Sequence, residues 1–159
     1  MAQQICDDSH ERALFAWPST VRSTRAELPR SGLVQWIFSY YAGREGAPRN
    51  ARNESIWRRR VVAAAKKGAA RNDDECLFIL GILYANGHGM KKDWRRATQL
   101  YRRAAKLGNA AAAACLGYCY RDGEGVRPDR RAARAWFERA ARLGSLDAPR
   151  ELARLAKSA

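Results

Sequence analysis

The groups in this chain that could do chemistry are two histidines, His10 and His88, four cysteines, Cys6, Cys76, Cys115 and Cys119, and a run of three acids, Asp73, Asp74 and Glu75. A thiolate nucleophile or a tetrahedral metal site needs a neighbouring histidine or a Cys-x-x-Cys pair, and the sequence offers neither around Cys76, Cys115 or Cys119. Cys115 and Cys119 stand one helical turn apart, a spacing that rarely closes a disulfide, so free thiols in a reducing compartment are expected. His88 reads as a solvent-facing turn residue, because the related position later in the chain is Glu124. Paired carboxylates serve general acid–base chemistry, but three acids at a helix start more simply complement the positive end of the helix dipole. Two Gly-x-Gly pairs, Gly87/Gly89 and Gly123/Gly125, have the composition of a phosphate cradle. In such cradles the glycines follow a strand and open a helix, whereas here a helix precedes them. No catalytic residue, metal ligand or cofactor is assigned, and the chain reads as non-enzymatic.

The elements that carry these groups repeat. Aligning Glu75–Ala110 with Ala111–Leu146 without gaps gives 13 identities in 36 positions. In the first half of each unit "CLFILGILYANG" and "AACLGYCYRDG" are apolar at helical spacing, with Leu80/Leu116 and Tyr84/Tyr120 on the packed face. Gly81 and Gly117 fall inside this helix A, where glycine costs about 1 kcal/mol relative to alanine, so a neighbouring helix is expected to approach closely there. Gly87 and Gly123 suit the left-handed residue that ends helix A, and Gly89 and Gly125 turn the chain back. Asp93 and Asp129 are predicted N-caps of helix B, which reads "WRRATQLYRRAAKLG" and then "RRAARAWFERAARLG". Along helix B, Ala97/Ala133, Ala104/Ala140 and Ala105/Ala141 permit tight contacts, Leu100/Trp136 and Tyr101/Phe137 are predicted core, and Gly108/Gly144 stop the helix.

These residues resemble the Sel-one-like repeat family, relatives of the tetratricopeptide repeats. The pattern "LGxLYxxGxGxxxDxxxAxxxYxxAAxxG" is met from Leu80 to Gly108, and again from Leu116 to Gly144 with Phe137 in place of Tyr and Cys119 in place of Leu. The resemblance implies an all-α, right-handed solenoid of antiparallel helix pairs, with A helices on the concave side and B helices on the convex side. It also implies roles in assembling protein complexes, in bacterial signalling or in host interaction. Such arrays need about three units to bury a continuous core. The expected organisation is a leader over 1–30, a degenerate first repeat over 31–68, repeats over 74–110 and 111–146, and a capping helix over 147–159. In the degenerate unit "WIFSYYAGREG" echoes helix A and "SIWRRRVVAAAKKG" helix B; in the cap, Leu152 falls at the 36-residue offset from Leu116 and Pro149 suits a first helical turn.

Two surfaces then remain as binding candidates. Positions that vary in the family and tend to face the concavity carry Phe78, Ile79 and Ile82 in one unit and Ala114, Cys115 and Tyr118 in the next, an apolar strip for docking a helix or extended peptide. On helix B, Arg95, Arg96, Arg102, Arg103 and Lys106, followed by Arg131, Arg139 and Arg142, are expected to align into a basic stripe. Of the net charge of +14, +13 resides in residues 51–159, which hold twenty-four basic and eleven acidic residues, and Arg outnumbers Lys four to one. That balance favours an acidic protein, a nucleic acid or another polyanion as partner for the stripe. The favoured reading is a protein-interaction adaptor docking its partner on the concave face, with polyanion binding through the stripe as the alternative. The N-terminus lacks a secretory pattern and "GLVQWIFSYYAG", about 12 residues, is too short to span a bilayer, so a cytoplasmic location is expected, secretion as a bacterial effector being the variant.

Overall fold

In the computed structural model, residues 51–157 are described, with side chains from Arg58 onward. The leader over 1–30 and the predicted helix A of the degenerate unit, around residues 36–46, lie outside the described residues. Six helices follow one another with no strand among the described residues: α1 (Ala51–Ala70), α2 (Asp74–Asn86), α3 (Trp94–Lys106), α4 (Ala110–Asp122), α5 (Arg130–Arg142) and α6 (Ala148–Lys157). Each of α2 to α6 packs on its chain neighbour, α2 with α3 and α4 with α5 most extensively. The all-α solenoid follows: helix A and helix B of each unit pair tightly, and pairs stack in sequence order.

The local chemistry of each helix end is duplicated. Asp73 and Asn109 cap α2 and α4, their side chains accepting from the amides of Cys76 (3.0 Å) and Ala112 (2.8 Å). Asp93 and Asp129 cap α3 and α5 in the same way, receiving the amide of Arg96 in one case and those of Arg131 and Ala132 in the other. Helices α2 and α4 end on left-handed Gly87 (φ 74°) and Gly123 (φ 78°), whose amides return to the carbonyls of Leu83 and Cys119. The turn is then closed by an amide–carbonyl bond, Asp93 to Tyr84 and Asp129 to Tyr120, each 2.8 Å.

The internal glycines have the role their position predicts. A Cβ on Gly81 would stand 2.5 Å from Tyr101 Cε1, and one on Gly117 would stand 2.6 Å from Phe137 Cε1. Both rings are almost completely buried, against Ala97, Ala104 and Ala105 in one unit and Ala133 and Ala140 in the other, all with no exposed surface. Of the predicted core pairs Tyr101/Phe137 is core, but Leu100 and Trp136 are only half-buried. They flank the buried stripe of helix B at the next position along the chain, where about 100° of rotation turns a side chain toward the edge of the packed face.

α1 stacks on the first repeat as α3 stacks on the second. Gly89 lies against Arg58 and Val62, and Gly125 against Trp94 and Thr98, residues 36 positions further on. At Gly125 the approach is to the Trp94 carbonyl itself, so no side chain fits. Buried Thr98 fixes this contact, its hydroxyl donating to the carbonyls of Trp94 (2.8 Å) and Glu124 (3.1 Å). At the other end α6, with Pro149 in its first turn, packs on α5, and the Arg130 guanidinium reaches the Leu155 carbonyl.

The glycine contacts give a test with a diagnostic sign. In an unobstructed helix Gly→Ala stabilises by about 0.5–1 kcal/mol, whereas overpacking a filled core costs about 1–3 kcal/mol. Gly117→Ala is therefore expected to destabilise in urea unfolding, and Gly117→Ala with Phe137→Leu to cost less than the sum of the two single changes. Stabilisation by Gly117→Ala would contradict the packing described.

Candidate functional site

The A-helix face is built from α2, α4 and α6, whose equivalent positions lie side by side. The sequence of α2, "DECLFILGILYAN", is apolar on every side, and nine of its thirteen residues are buried; a helix of that kind belongs inside a protein. Accordingly Phe78 (6% exposed), Ile79 (1%), Ile82 (5%) and Ala114 (4%) are inside the packing, and the structure does not present them as the apolar strip expected from the sequence. Phe78 packs its ring against Tyr101 at 5.9 Å between centroids. Cys115 and Tyr118 are half-exposed. The accessible part of this face thus begins at the second repeat.

From there to the cap the face becomes ionic. At successive 36-residue offsets Ile79 is followed by Cys115 and Glu151, and Ile82 by Tyr118 and Arg154. Arg121 organises the cluster: it pairs with Asp122 through Nε and with Glu151 through Nη1, both at 2.8 Å, and lies over the Tyr118 ring at 4.9 Å. Glu151 is buried and also accepts from Arg154 at 3.1 Å. A buried carboxylate is tolerable only when paired, and two guanidiniums satisfy it here. The Tyr118 ring stands edge-on to Phe137, 5.0 Å between centroids, and burial first, then the negative charges of Glu151 and Asp147, push its phenol above the usual tyrosine range. Tyr118 is therefore a neutral hydrogen-bonding group at any working pH. Arg121, Glu151 and Arg154 were not singled out from the sequence; extending the repeat offset into the cap, which places Glu151 on Ile79 and Cys115, is the signal that finds them.

The remaining candidates settle as follows. Cys76 and Cys119 are buried thiols, and Cys115 is half-exposed. Among the described residues no three His, Cys, Asp or Glu side chains are grouped to hold a metal ion. His88, expected to face solvent, is half-buried instead, and burial followed by the charge of Arg58 lowers its pKa. Arg58 belongs to α1, which packs on this turn, a neighbour that the turn's own sequence cannot reveal. Asp73 caps α2, while Glu75 has its pKa raised by burial and then by Asp73 and Asp74. Asp74 receives the Asn109 side-chain amide at 3.0 Å, tying the starts of the two repeats together.

On the B-helix face the eight predicted cations divide in two. Arg96 donates to the Tyr84 hydroxyl (3.4 Å) and pairs with Asp93 (3.3 Å), Arg102 donates to the Tyr120 hydroxyl (2.8 Å), Arg103 to Asn72 Oδ1 (2.6 Å) and Arg139 to the Ala105 carbonyl (3.1 Å). Three of these four, Arg102, Arg103 and Arg139, brace one repeat against its neighbour. Arg95, Lys106, Arg131 and Arg142 are exposed and project from the same face.

The comparisons agree with this geometry. The Sel1 repeat model matches residues 74–109 and 110–145, the first one residue shorter than the expected 74–110 and the second shifted one residue toward the N-terminus from the expected 111–146. Residues 74–145 are therefore two Sel1 repeats. Among solved structures the chain is similar to a Sel1 repeat protein from Oxalobacter formigenes, with 29% identity, 78% of this chain and 47% of that chain covered, and a TM-score of 0.58. It is similar to Helicobacter pylori cysteine rich protein B, with 26% identity, 75% and 93% coverage and a TM-score of 0.56. It is also similar to c5321, a protective antigen of uropathogenic Escherichia coli strains displaying an SLR fold, with 25% identity, 82% and 34% coverage and a TM-score of 0.60. The chain spans about half the length of the first of these and about a third of the last. No curated protein matches. Proteins of the Sel1 family generally act in protein–protein interaction, and the fold is typically a non-catalytic scaffold. No helix among the described residues is long and apolar enough to cross a membrane.

A buried carboxylate atom yields a prediction about pH. Glu124 Oε2 has no hydrogen-bond partner, and burial, then Asp122, raises the Glu124 pKa above its ordinary 4.5. A raised carboxyl pKa in the folded state costs stability when the group is ionised, and the cost is relieved as pH falls through the folded value toward the unfolded one. Glu124→Gln is expected to raise the melting temperature at neutral pH, with the gain shrinking below about pH 4.5. A variant less stable than wild type at neutral pH would contradict this assignment.

Proposed function

We propose that this protein is a non-enzymatic interaction module that docks a segment of a protein partner on the A-helix face, across the second repeat and the cap. The observation that carries the reading is the change along that face. It is closed at Phe78, Ile79 and Ile82, half-open at Cys115 and Tyr118, and bordered there by the Arg121–Glu151–Arg154 cluster. An aromatic ring already held by Phe137 and by a guanidinium loses little freedom on binding, which is the property of an interface anchor. Fixed charges of both signs beside it offer orientation to a partner carrying complementary groups. The Sel1 repeats support a protein partner, and their scaffold character supports an absence of catalysis.

The partner's identity is approached through selection of binding peptides from a displayed library, followed by titration of the selected sequences. Tyr118→Ala and Cys115→Glu, with unfolding curves to establish that both fold, are expected to weaken binding about tenfold or more, the loss of one anchor. Arg134→Glu on the B-helix face is expected to leave binding unchanged. Selected peptides indifferent to both A-face changes and sensitive to Arg134→Glu would place the docking surface on the other side.

A further inference from the structure

The three B helices hold the chain's whole charge imbalance. α1 has six basic and one acidic residue, α3 five basic and none acidic, and α5 five basic and one acidic, which together equal the +14 of the full chain. Within this face one column stands out. Arg59, Arg95 and Arg131 are separated by 36 residues each, occupy the same position on three successively stacked B helices, and are all exposed. The equivalence is geometric as well as sequential, because the residues immediately before them, Arg58 and Trp94, contact equivalent turn glycines.

Nothing in the fold requires these arginines. Their repeat neighbours Arg96, Arg103 and Arg139 hydrogen-bond to the array through their side chains, while among the described residues the guanidinium of none of the three makes an ion pair or hydrogen bond. The nearest acids, Asp93 and Asp129, serve as helix caps, and Glu138 is paired with Arg134 at 2.9 Å. Arg95 and Arg131 also sit in the first turn of their helices, where the dipole disfavours a cation and where neither helix has an acidic residue beyond its capping Asp. Arg139 of α5 reaches the Ala105 carbonyl of α3, so these B helices are neighbours, and a helix diameter of about 10–12 Å per step spreads the column over about 20 Å or more.

We propose that this column binds the phosphodiester backbone of a nucleic acid, independently of base sequence and independently of the A-helix docking face. Duplex DNA presents one charge per about 1.7 Å of axis, a density that a column of this length can follow. Guanidinium groups bind phosphate oxygens in bidentate geometry. A membrane surface fits less well. The exposed Leu107, Leu143 and Leu146 lie beyond the opposite ends of the B helices, about 18 Å from the column, so cations and insertable side chains are not adjacent. An acidic protein segment would need an anchoring side chain to fill, and the outward positions one turn on are Ala63, Gln99 and Ala135.

The test is fluorescence anisotropy of the full chain with labelled mixed-sequence duplex DNA and, separately, single-stranded RNA, over a salt series. Arg59→Gln/Arg95→Gln/Arg131→Gln is compared with Arg71→Gln/Arg150→Gln/Lys157→Gln, which removes the same charge from exposed sites outside the column; circular dichroism melts establish that both fold. Binding by wild type is expected, with the slope of log affinity against log salt reduced by about 2.7 for DNA in the column variant, about 0.9 per lost phosphate contact, and nearly unchanged in the control. The stronger of the two probes identifies duplex or single strand. Wild type that binds neither, an equal reduction in both variants, or competition by polyglutamate as effective as by unlabelled nucleic acid would each overturn the proposal.

Discussion

The array depends on two places where a helix has no side chain. At Gly81 and Gly117 the ring of Tyr101 or Phe137 occupies the volume that a Cβ would need, so helix B lies against the backbone of helix A. The alanines at 97, 104, 105, 133 and 140 complete the approach from the other side. With the pair locked at that distance, the turn between its helices has a fixed span, which Gly87 and Gly123 start and the Asp93 and Asp129 amides close. The next unit can then seat only where Gly125 meets the Trp94 carbonyl. Dispersion and apolar burial at a few points of close approach thus set the geometry of the stack, and polar groups such as Thr98 and Asn109 fix its register.

That geometry separates the charges. Helix A is consumed by packing against two neighbouring units, so in the first repeat it has almost no surface to charge, whereas helix B packs along one side and turns the other outward. The imbalance of +14 therefore accumulates on α1, α3 and α5. Part of it is structural: Arg103 and Arg139 hold adjacent units together through hydrogen bonds. A basic stripe counted from sequence is thus two populations, braces and free heads, which only partner geometry separates.

The repeat, the Asp93 and Asp129 caps, the turn glycines and the close approach at Gly81 and Gly117 were legible in the sequence, because each is enforced locally by a residue type with few alternatives: glycine at positive φ, aspartate before a helix, glycine opposite a ring. The surfaces were not legible to the same degree. Phe78, Ile79 and Ile82 follow the variable positions of the family, yet nothing in their own spacing says what lies over them, and a helix apolar on all sides carried the warning that none of its faces was free. Glu151 was missed for the converse reason. Its burial depends on Arg121, thirty residues earlier, and on Arg154, and a carboxylate in a cap helix reads as exposed until both cations are placed beside it.

In α6 the A-helix positions exchange apolar side chains for charge. The position that is Ile79 in the first repeat and Cys115 in the second is Glu151 in α6, and Ile82 and Tyr118 give way to Arg154. Charge at these packed positions is tolerated in α6 because Glu151 meets the guanidinium of Arg121 on one side and that of Arg154 on the other. The same substitution has a second consequence. Along α2, α4 and α6 the A-helix face passes from wholly apolar to ionic within three helices, so a segment lying across it would meet an anchor ring at Tyr118 and fixed charges beyond it. Polarity along that face defines a direction, and a partner bound there would have one preferred orientation rather than two.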